Sequence, residues 1–255
     1  MSAVHLTTEG RVAELRLDNP DKMNALTVEM LAQLADHLET VERDRGIAAV
    51  MLTATGERAF CTGADINGWG DLTPAEFSRH WVRNGHRIFD RLARLCKPTV
   101  AVLNGHAFGG GLELAAACDI RVMAPKAALA LPEPAVGIVP GWSGTQRLLR
   151  LLPEPVVKEM ALFGHRIKAD RALAFGFAAA VDDDPRAAAL SLLERAVALS
   201  PRAVEITKHM IHAAQGEDRA AMVEALGSAA ISASEDRNEG VTAFREKRKP
   251  DFTGN

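Results

Sequence analysis

Cysteine is scarce in this sequence: Cys61, Cys96 and Cys118 stand far apart among 255 residues, with no C-x-x-C pair. That excludes a disulfide framework and a zinc knuckle, and makes a reducing cytoplasm the simplest location. No stretch approaches the roughly eighteen consecutive apolar residues of a membrane-spanning helix. Residues 1–10 carry His5, Glu9 and several hydroxyls in place of a basic-then-apolar leader, so neither export nor membrane insertion is expected. Charge of one sign is lacking too, since 30 basic against 33 acidic residues leave a net charge of −3. Such a chain has no general field for a polyanion, and no local basic patch dominates, so no nucleic-acid partner is expected. Phosphate and nucleophile motifs are also missing. No G-x-G-x-x-G follows a strand, no G-x-x-x-x-G-K-[ST] occurs, and Gly141-Trp142-Ser143-Gly144 is one residue short of a nucleophile elbow. His209 and His212 share a predicted helix without a carboxylate or cysteine to complete a metal set, and no metal is expected.

What is present is the composition of a folded domain, 47% apolar and 25% charged, at a length that suits one large domain or two modest ones. Residues 11–17 alternate as a partly buried strand, ended by the turn Asp18-Asn19-Pro20-Asp21. Thr27 is a candidate N-cap for an amphipathic helix over residues 28–43, with Met30, Leu31, Leu34, Leu38 and Val41 on one face. Strands are predicted at residues 48–53, 99–103, 119–123 and 128–131, and helices around residues 74–95 and over residues 112–117. This alternation is that of an α/β fold. From Ser143 onward Ala, Leu, Arg and Glu prevail, no strand is predicted, and Ser200-Pro201 reads as an N-cap followed by a first-turn proline. The acidic run Asp182-Asp183-Asp184 reads as a solvated turn.

Two loops and two carboxylates carry the candidate chemistry. In Gly109-Gly110-Gly111 the absence of Cβ atoms either permits tight helix–strand packing or lets a ligand approach free N–H groups at a helix start. Thr62-Gly63-Ala64-Asp65 is a second small-residue turn, so each loop could offer one N–H to the same oxygen. Glu113 falls in the first turn of the glycine-led helix, where a carboxylate also suits the helix dipole. Glu133 lies among apolar neighbours in Leu131-Pro132-Glu133-Pro134-Ala135. Pro134 biases it toward an extended backbone, and desolvation there would raise its pKa toward neutrality.

From Val12 to about Phe252 the chain resembles the crotonase (enoyl-CoA hydratase/isomerase) superfamily. Four ordered motifs carry the likeness: Asn19-Pro20-Asp21-Lys22-Met23-Asn24-Ala25-Leu26, Phe60-Cys61-Thr62-Gly63-Ala64-Asp65-Ile66, Asn104-Gly105-His106-Ala107-Phe108 through Glu113-Leu114, and Pro132-Glu133 through Gln146-Arg147. The resemblance implies an α/β spiral of ββα units over residues 1–195 and a helical trimerisation region over residues 196–255, assembled as a trimer or a dimer of trimers. It implies a coenzyme A thioester as substrate and no separate cofactor. Ala64 and Gly110 match the two oxyanion-hole amides, Glu113 and Glu133 the catalytic glutamates, and Gly141 the amide that helps hold the water. Lys22, Ala25, Asp65 and Ile66 match the coenzyme A groove, and Phe244 and Lys247 match the closing helix that meets the nucleotide end of the ligand.

Both glutamates fit water addition, so the expected activity is 2-enoyl-CoA hydration. The alternatives are a Δ3-Δ2-enoyl-CoA isomerase or other acyl-CoA lyase, and a non-catalytic acyl-CoA-binding homologue. Departures from the family pattern are Leu112 for a common cysteine, Asn67 for a frequent lysine, and a bulky Trp142-Ser143. Trp142 either narrows the acyl pocket or packs in the core. Residues 69–94 are expected to supply the acyl lining. The chain has no tyrosine, which weighs against the phenolic acyl groups that some family members recognise through one.

Overall fold

In the computed structural model, which describes residues 2–255, the strands form two sheets, between which the chain alternates from the third strand to the eighth. The larger sheet has the order β1 (Ala3–Glu9), β2 (Val12–Asp18), β3 (Ala49–Ala54), β5 (Thr99–Leu103), β7 (Ile120–Met123) and β10 (Ala180–Val181). The smaller has β4 (Ala59–Cys61), β6 (His106–Phe108), β8 (Ala128–Ala130) and β9 (Ile167–Lys168). β1 and β2 form an antiparallel hairpin, and β2, β3, β5, β7 and β10 then pair in parallel. The chain enters the large sheet at β3, crosses to the small one at β4, and repeats this at β5 and β6 and again at β7 and β8. Intervening helices return it each time, which is the expected ββα spiral.

β3 is buried on both faces, as a central parallel strand should be. Val50 and Leu52 join the main core, while Ala49 and Met51 point to a second cluster. The main core is covered by α1 (Val28–Arg43), whose predicted apolar stripe is buried and whose Thr27 hydroxyl accepts the Met30 N–H. Lys97 donates to the carbonyls of Val41 and Asp44 and so closes the C-terminal end of α1.

The helix predicted around residues 74–95 is not uniform. A short α2 (Pro74–Glu76), capped reciprocally by Thr73 and Glu76, runs into a π-helical turn, Phe77–Val82, and then α3 (Arg83–Ala93). The Arg83 N–H donates to the Ser78 carbonyl, and the wider turn places Phe77, Trp81 and Val82 along one cleft. α4 (Gly110–Ala116) begins earlier than the predicted residue 112, with all seven residues buried. Packing overrides the low helix propensity of Gly110 and Gly111.

Beyond residue 143 come α5 (Gly144–Leu151), α6 (Glu154–Phe163), α7 (Ala169–Ala174) and α8 (Pro185–Val197). The expectation of no strand there is overturned by β9 and β10, two residues each, defined by their partners rather than by any pattern of their own. The acidic run is more than a solvated turn, since the Asp184 carboxylate caps α8 by accepting the Ala187 N–H at 3.0 Å. α8 lays Ala189 and Leu193 on the second cluster. The Ser200 hydroxyl accepts the Ala203 N–H at 3.4 Å where α9 (Pro201–Ala214) begins.

The chain divides into two compact units, Met1–Val204 and Glu205–Asn255. In the second, α10 (Arg219–Ser232) has no buried residue although it carries Val223 and Ile231. After α11 (Glu235–Glu246) the tail folds back, so that the Asn255 carbonyl accepts the Glu235 N–H at 2.8 Å and Arg248 pairs with Glu239. Among the described residues no helix is long and apolar enough to cross a membrane.

Candidate active site

The three glycines at the start of α4 each meet a different constraint. Gly109 has φ +51°, and a Cβ there would come 2.8 Å from Glu133 Oε1. A Cβ on Gly110 would come 2.8 Å from the Trp142 ring, and one on Gly111 would overlap the Cys61 carbonyl. Tight helix–strand packing is thus the reason for Gly111, while Gly109 and Gly110 face an open cleft. As the first residue of α4, Gly110 has an N–H with no acceptor inside the helix. The second loop lies beside it. Gly63, at φ +103°, would put a Cβ 3.3 Å from the Gly110 nitrogen. Leu26 pairs through the Gly63 carbonyl and the Asp65 N–H, which turns the Ala64 N–H the other way. Ala64 and Gly110 line the same cleft, and two such donors suit one oxygen.

Glu113 and Glu133 line that cleft as well, in opposite surroundings. Glu113 Oε1 accepts the N–H groups of Trp142 at 2.8 Å and Gly144 at 2.7 Å. Burial pushes its carboxyl above the usual range, opposed by those amides and by the charge of Arg147. Glu133 is supported only by its own backbone N–H, and its buried Oε2 has no hydrogen-bond partner. Burial lifts it to about 7, and the nearby Glu113 charge adds to the rise. Both carboxyls titrate high, but Glu113 has more donors to support a negative charge, two neighbouring amides against the single amide of Glu133's own backbone. The backbone at Glu133 corrects the extended conformation predicted from Pro134, because Glu133 opens a 3₁₀ turn, Glu133–Val136. Pro134 sits in its first turn, where the missing N–H would have had no helical partner.

The loop that supplies the two amides is held from α3. Ser143 has the left-handed φ of +75°, and this lets the N–H groups on either side of it converge on Glu113. Its hydroxyl lies 3.1 Å from His86 Nε2, His86 meets Asp90 at 3.5 Å, and Asp90 pairs with Arg147 of α5. Ser143 Oγ is almost equidistant from both ring nitrogens and does not line the cleft, so these residues brace the loop and do not form a nucleophile–base pair.

The remaining wall is apolar, and the cavity encloses about 210 Å³. Trp69, Phe77, Trp81 and Val82 come from the stretch expected to supply the acyl lining, but Ile138 and Val139, from the loop after Glu133, were not anticipated. Their only sequence signal is apolar character in a segment with no helical or strand period. Trp142 both lines the cleft and packs in the core. Gly141 borders the same space.

Of the expected coenzyme A contacts, Ile66 stands half exposed at the cleft. Lys22 Nζ is 2.7 Å from Asp65, whose carboxyl this lysine holds below its ordinary range. The Ala25 carbonyl accepts from Asn19 Nδ2. Asn24, buried with φ +55°, donates to the carbonyls of Thr55 and Ala59 and pegs this loop in place, a role the sequence did not disclose. Phe244 and Lys247 belong to the second unit, Phe244 exposed on α11 and Lys247 just past its end with φ +55°. No group of three or more potential metal ligands gathers among the described residues.

The chain is similar to known proteins. Residues 7–255 match the family described as enoyl-CoA hydratase/isomerase. A short-chain-enoyl-CoA hydratase of Clostridium acetobutylicum is 34% identical, with 98% of this chain and 97% of that protein aligned. An (E)-benzylidenesuccinyl-CoA hydratase of Thauera aromatica is 35% identical, over 98% and 99%. The crystal structure of an enoyl-CoA hydratase from Bacillus anthracis superimposes with a TM-score of 0.81 at 31% identity, covering 99% of each chain. On sequence and fold, this chain belongs to the enoyl-CoA hydratase/isomerase family.

Proposed function

We propose that the protein is an enoyl-CoA hydratase, which adds water across the 2,3 double bond of a 2-enoyl-CoA thioester. The observation that carries this reading is the pairing in one cleft of Glu113, supported by the amides of Trp142 and Gly144, with Glu133, which burial lifts to about 7. Water addition needs a base and an acid at once, and this pair supplies both. The thioester oxygen lies between the N–H groups of Ala64 and Gly110, which withdraw electron density and make C3 electrophilic. Ionised Glu113 takes a proton from water, the Gly141 N–H helps hold that water, and the oxygen bonds to C3. The π electrons move to the thioester oxygen as an enolate. When the enolate collapses, protonated Glu133 delivers its proton to C2. The reaction is redox-neutral, and the proposal includes no cofactor besides the thioester. Lys22, Ala25, Asp65 and Ile66 border the coenzyme A groove, and Phe244 and Lys247 serve its nucleotide end.

The test is loss of the enoyl-thioester absorbance of crotonyl-CoA on adding the protein. A protein that leaves crotonyl-CoA intact but converts a 3-enoyl ester would be an isomerase, and one that binds both unchanged a non-catalytic homologue. The pH profile follows from the raised Glu133. The protonated acid prevails below about 7 and is lost above it, so kcat/KM should fall on the alkaline side from about 7. It should also fall at lower pH as Glu113 takes up a proton. A rate still rising at pH 9 would contradict the role of Glu133.

The trimer, or a dimer of trimers, is part of the same proposal. Val223, Ile231 and Phe244 are exposed apolar side chains in the helical unit, the kind of surface that subunit contacts cover. Light scattering is expected to report three or six chains, and a stable monomer at micromolar concentration would overturn it. Cysteines as few and as widely spaced as Cys61, Cys96 and Cys118 suit a reducing cytoplasm.

A further inference from the structure

The reacting carbons are fixed by the Gly110 N–H and the two glutamates, so the rest of the acyl chain must occupy whatever apolar space remains beside them. Trp142 determines how much remains. Its six-membered ring lies over Gly110 at the start of α4, where a Cβ would come within 2.8 Å of it. The opposite edge reaches the π-helical turn that leads into α3, with Nε1 donating to the Trp81 carbonyl at 3.4 Å. At Gly85 any Cβ would overlap the indole, so the absence of a side chain there gives the ring its seat. Trp81 packs tilted and Phe89 edge-on against it, with centroids 5.4 and 5.1 Å away. Trp142 is 3% exposed and thus wedged across the space between the two helices. The indole fills space beside the cleft that an acyl tail could otherwise occupy.

We infer that Trp142, seated on Gly85, sets the acyl-length limit and that the protein acts on short-chain 2-enoyl-CoA thioesters. The inference rests on the hydratase reading and adds the substrate class. It is tested with the full chain by measuring kcat/KM for crotonyl-, 2-hexenoyl- and 2-octenoyl-CoA. In the wild type the value is expected to fall at least roughly tenfold from crotonyl to octenoyl, the scale on which an apolar site discriminates when it lacks room for added methylenes. Trp142→Ala should raise the octenoyl-to-crotonyl ratio at least roughly tenfold. The ratio within one variant cancels any general loss of turnover from the altered loop. If Trp142→Ala does not fold, Trp142→Phe, which keeps an aromatic ring beside Phe89, should move the ratio the same way by a smaller factor. Hydration by the wild type with an unchanged ratio in a folded variant, or a wild type as fast on octenoyl as on crotonyl, overturns this inference alone. Failure of the wild type to hydrate any of the esters overturns the hydratase reading, and this inference with it.

Discussion

Glu133→Gln is expected to lower kcat for crotonyl-CoA hydration by at least about 10²-fold while leaving acyl-CoA binding largely intact. The amide has nearly the shape of the carboxyl, but it cannot release a proton to C2. An amide nitrogen in place of Oε2 breaks no hydrogen bond, because that oxygen has no partner. Glu113→Gln should produce a fall of at least the same order for a different reason. Its side-chain oxygen can still accept from Trp142 and Gly144, so the loop keeps its place, yet an amide cannot take the proton from water. Binding of a non-reactive acyl-CoA, measured by calorimetry beside turnover, separates lost chemistry from lost affinity. Near-wild-type turnover in either variant removes that residue from the mechanism.

Gly110→Val is expected to impair turnover at least as severely. A Cβ at this position already presses on the Trp142 ring at 2.8 Å, and valine adds two methyl groups toward the thioester. The helix start must shift, and the N–H loses its aim. One lost donor corresponds to about 3–4 kcal/mol of transition-state stabilisation, or roughly 10²–10³-fold in rate, and the steric conflict adds to it. Circular dichroism reports whether the fold survives, and acyl-CoA binding with crotonyl-CoA hydration reports the site. A folded variant with normal turnover would place the oxygen-binding donors elsewhere.

Legibility followed the length of each pattern. α1 was readable because five buried side chains recur at helical spacing behind a capping threonine, and β3 and β5 because each is a continuous apolar run. β9 and β10 were not, since two residues carry no period and become strands only beside β8 and β7. The π-helical turn escaped for a related reason: a helical stripe over residues 74–95 does not reveal where the turn widens. At the site, apolar neighbours correctly foretold a desolvated Glu133, whereas the bias from Pro134 gave way to a 3₁₀ turn. Gly109-Gly110-Gly111 read as one feature, but the Glu133 carboxyl, the Trp142 ring and the Cys61 carbonyl are three separate neighbours supplied by distant parts of the chain.

The cover of the large sheet has a consequence for the order of folding. Ala49, Met51, Val100, Val102 and Val122 lie on strands complete by residue 123, yet the side chains that shield them, Ala189 and Leu193, belong to α8. Arg186, at the start of that helix, reaches back 172 residues to Glu14. During synthesis, several seconds at roughly 5–20 residues per second separate the strands from their cover, and throughout that interval an apolar parallel face stands open to water. Ribosomal timing therefore bears on this half of the molecule more than on the α1 side, whose covering helix is made before the central strands. A slow stretch of translation between β7 and α8 would prolong the state most prone to aggregate.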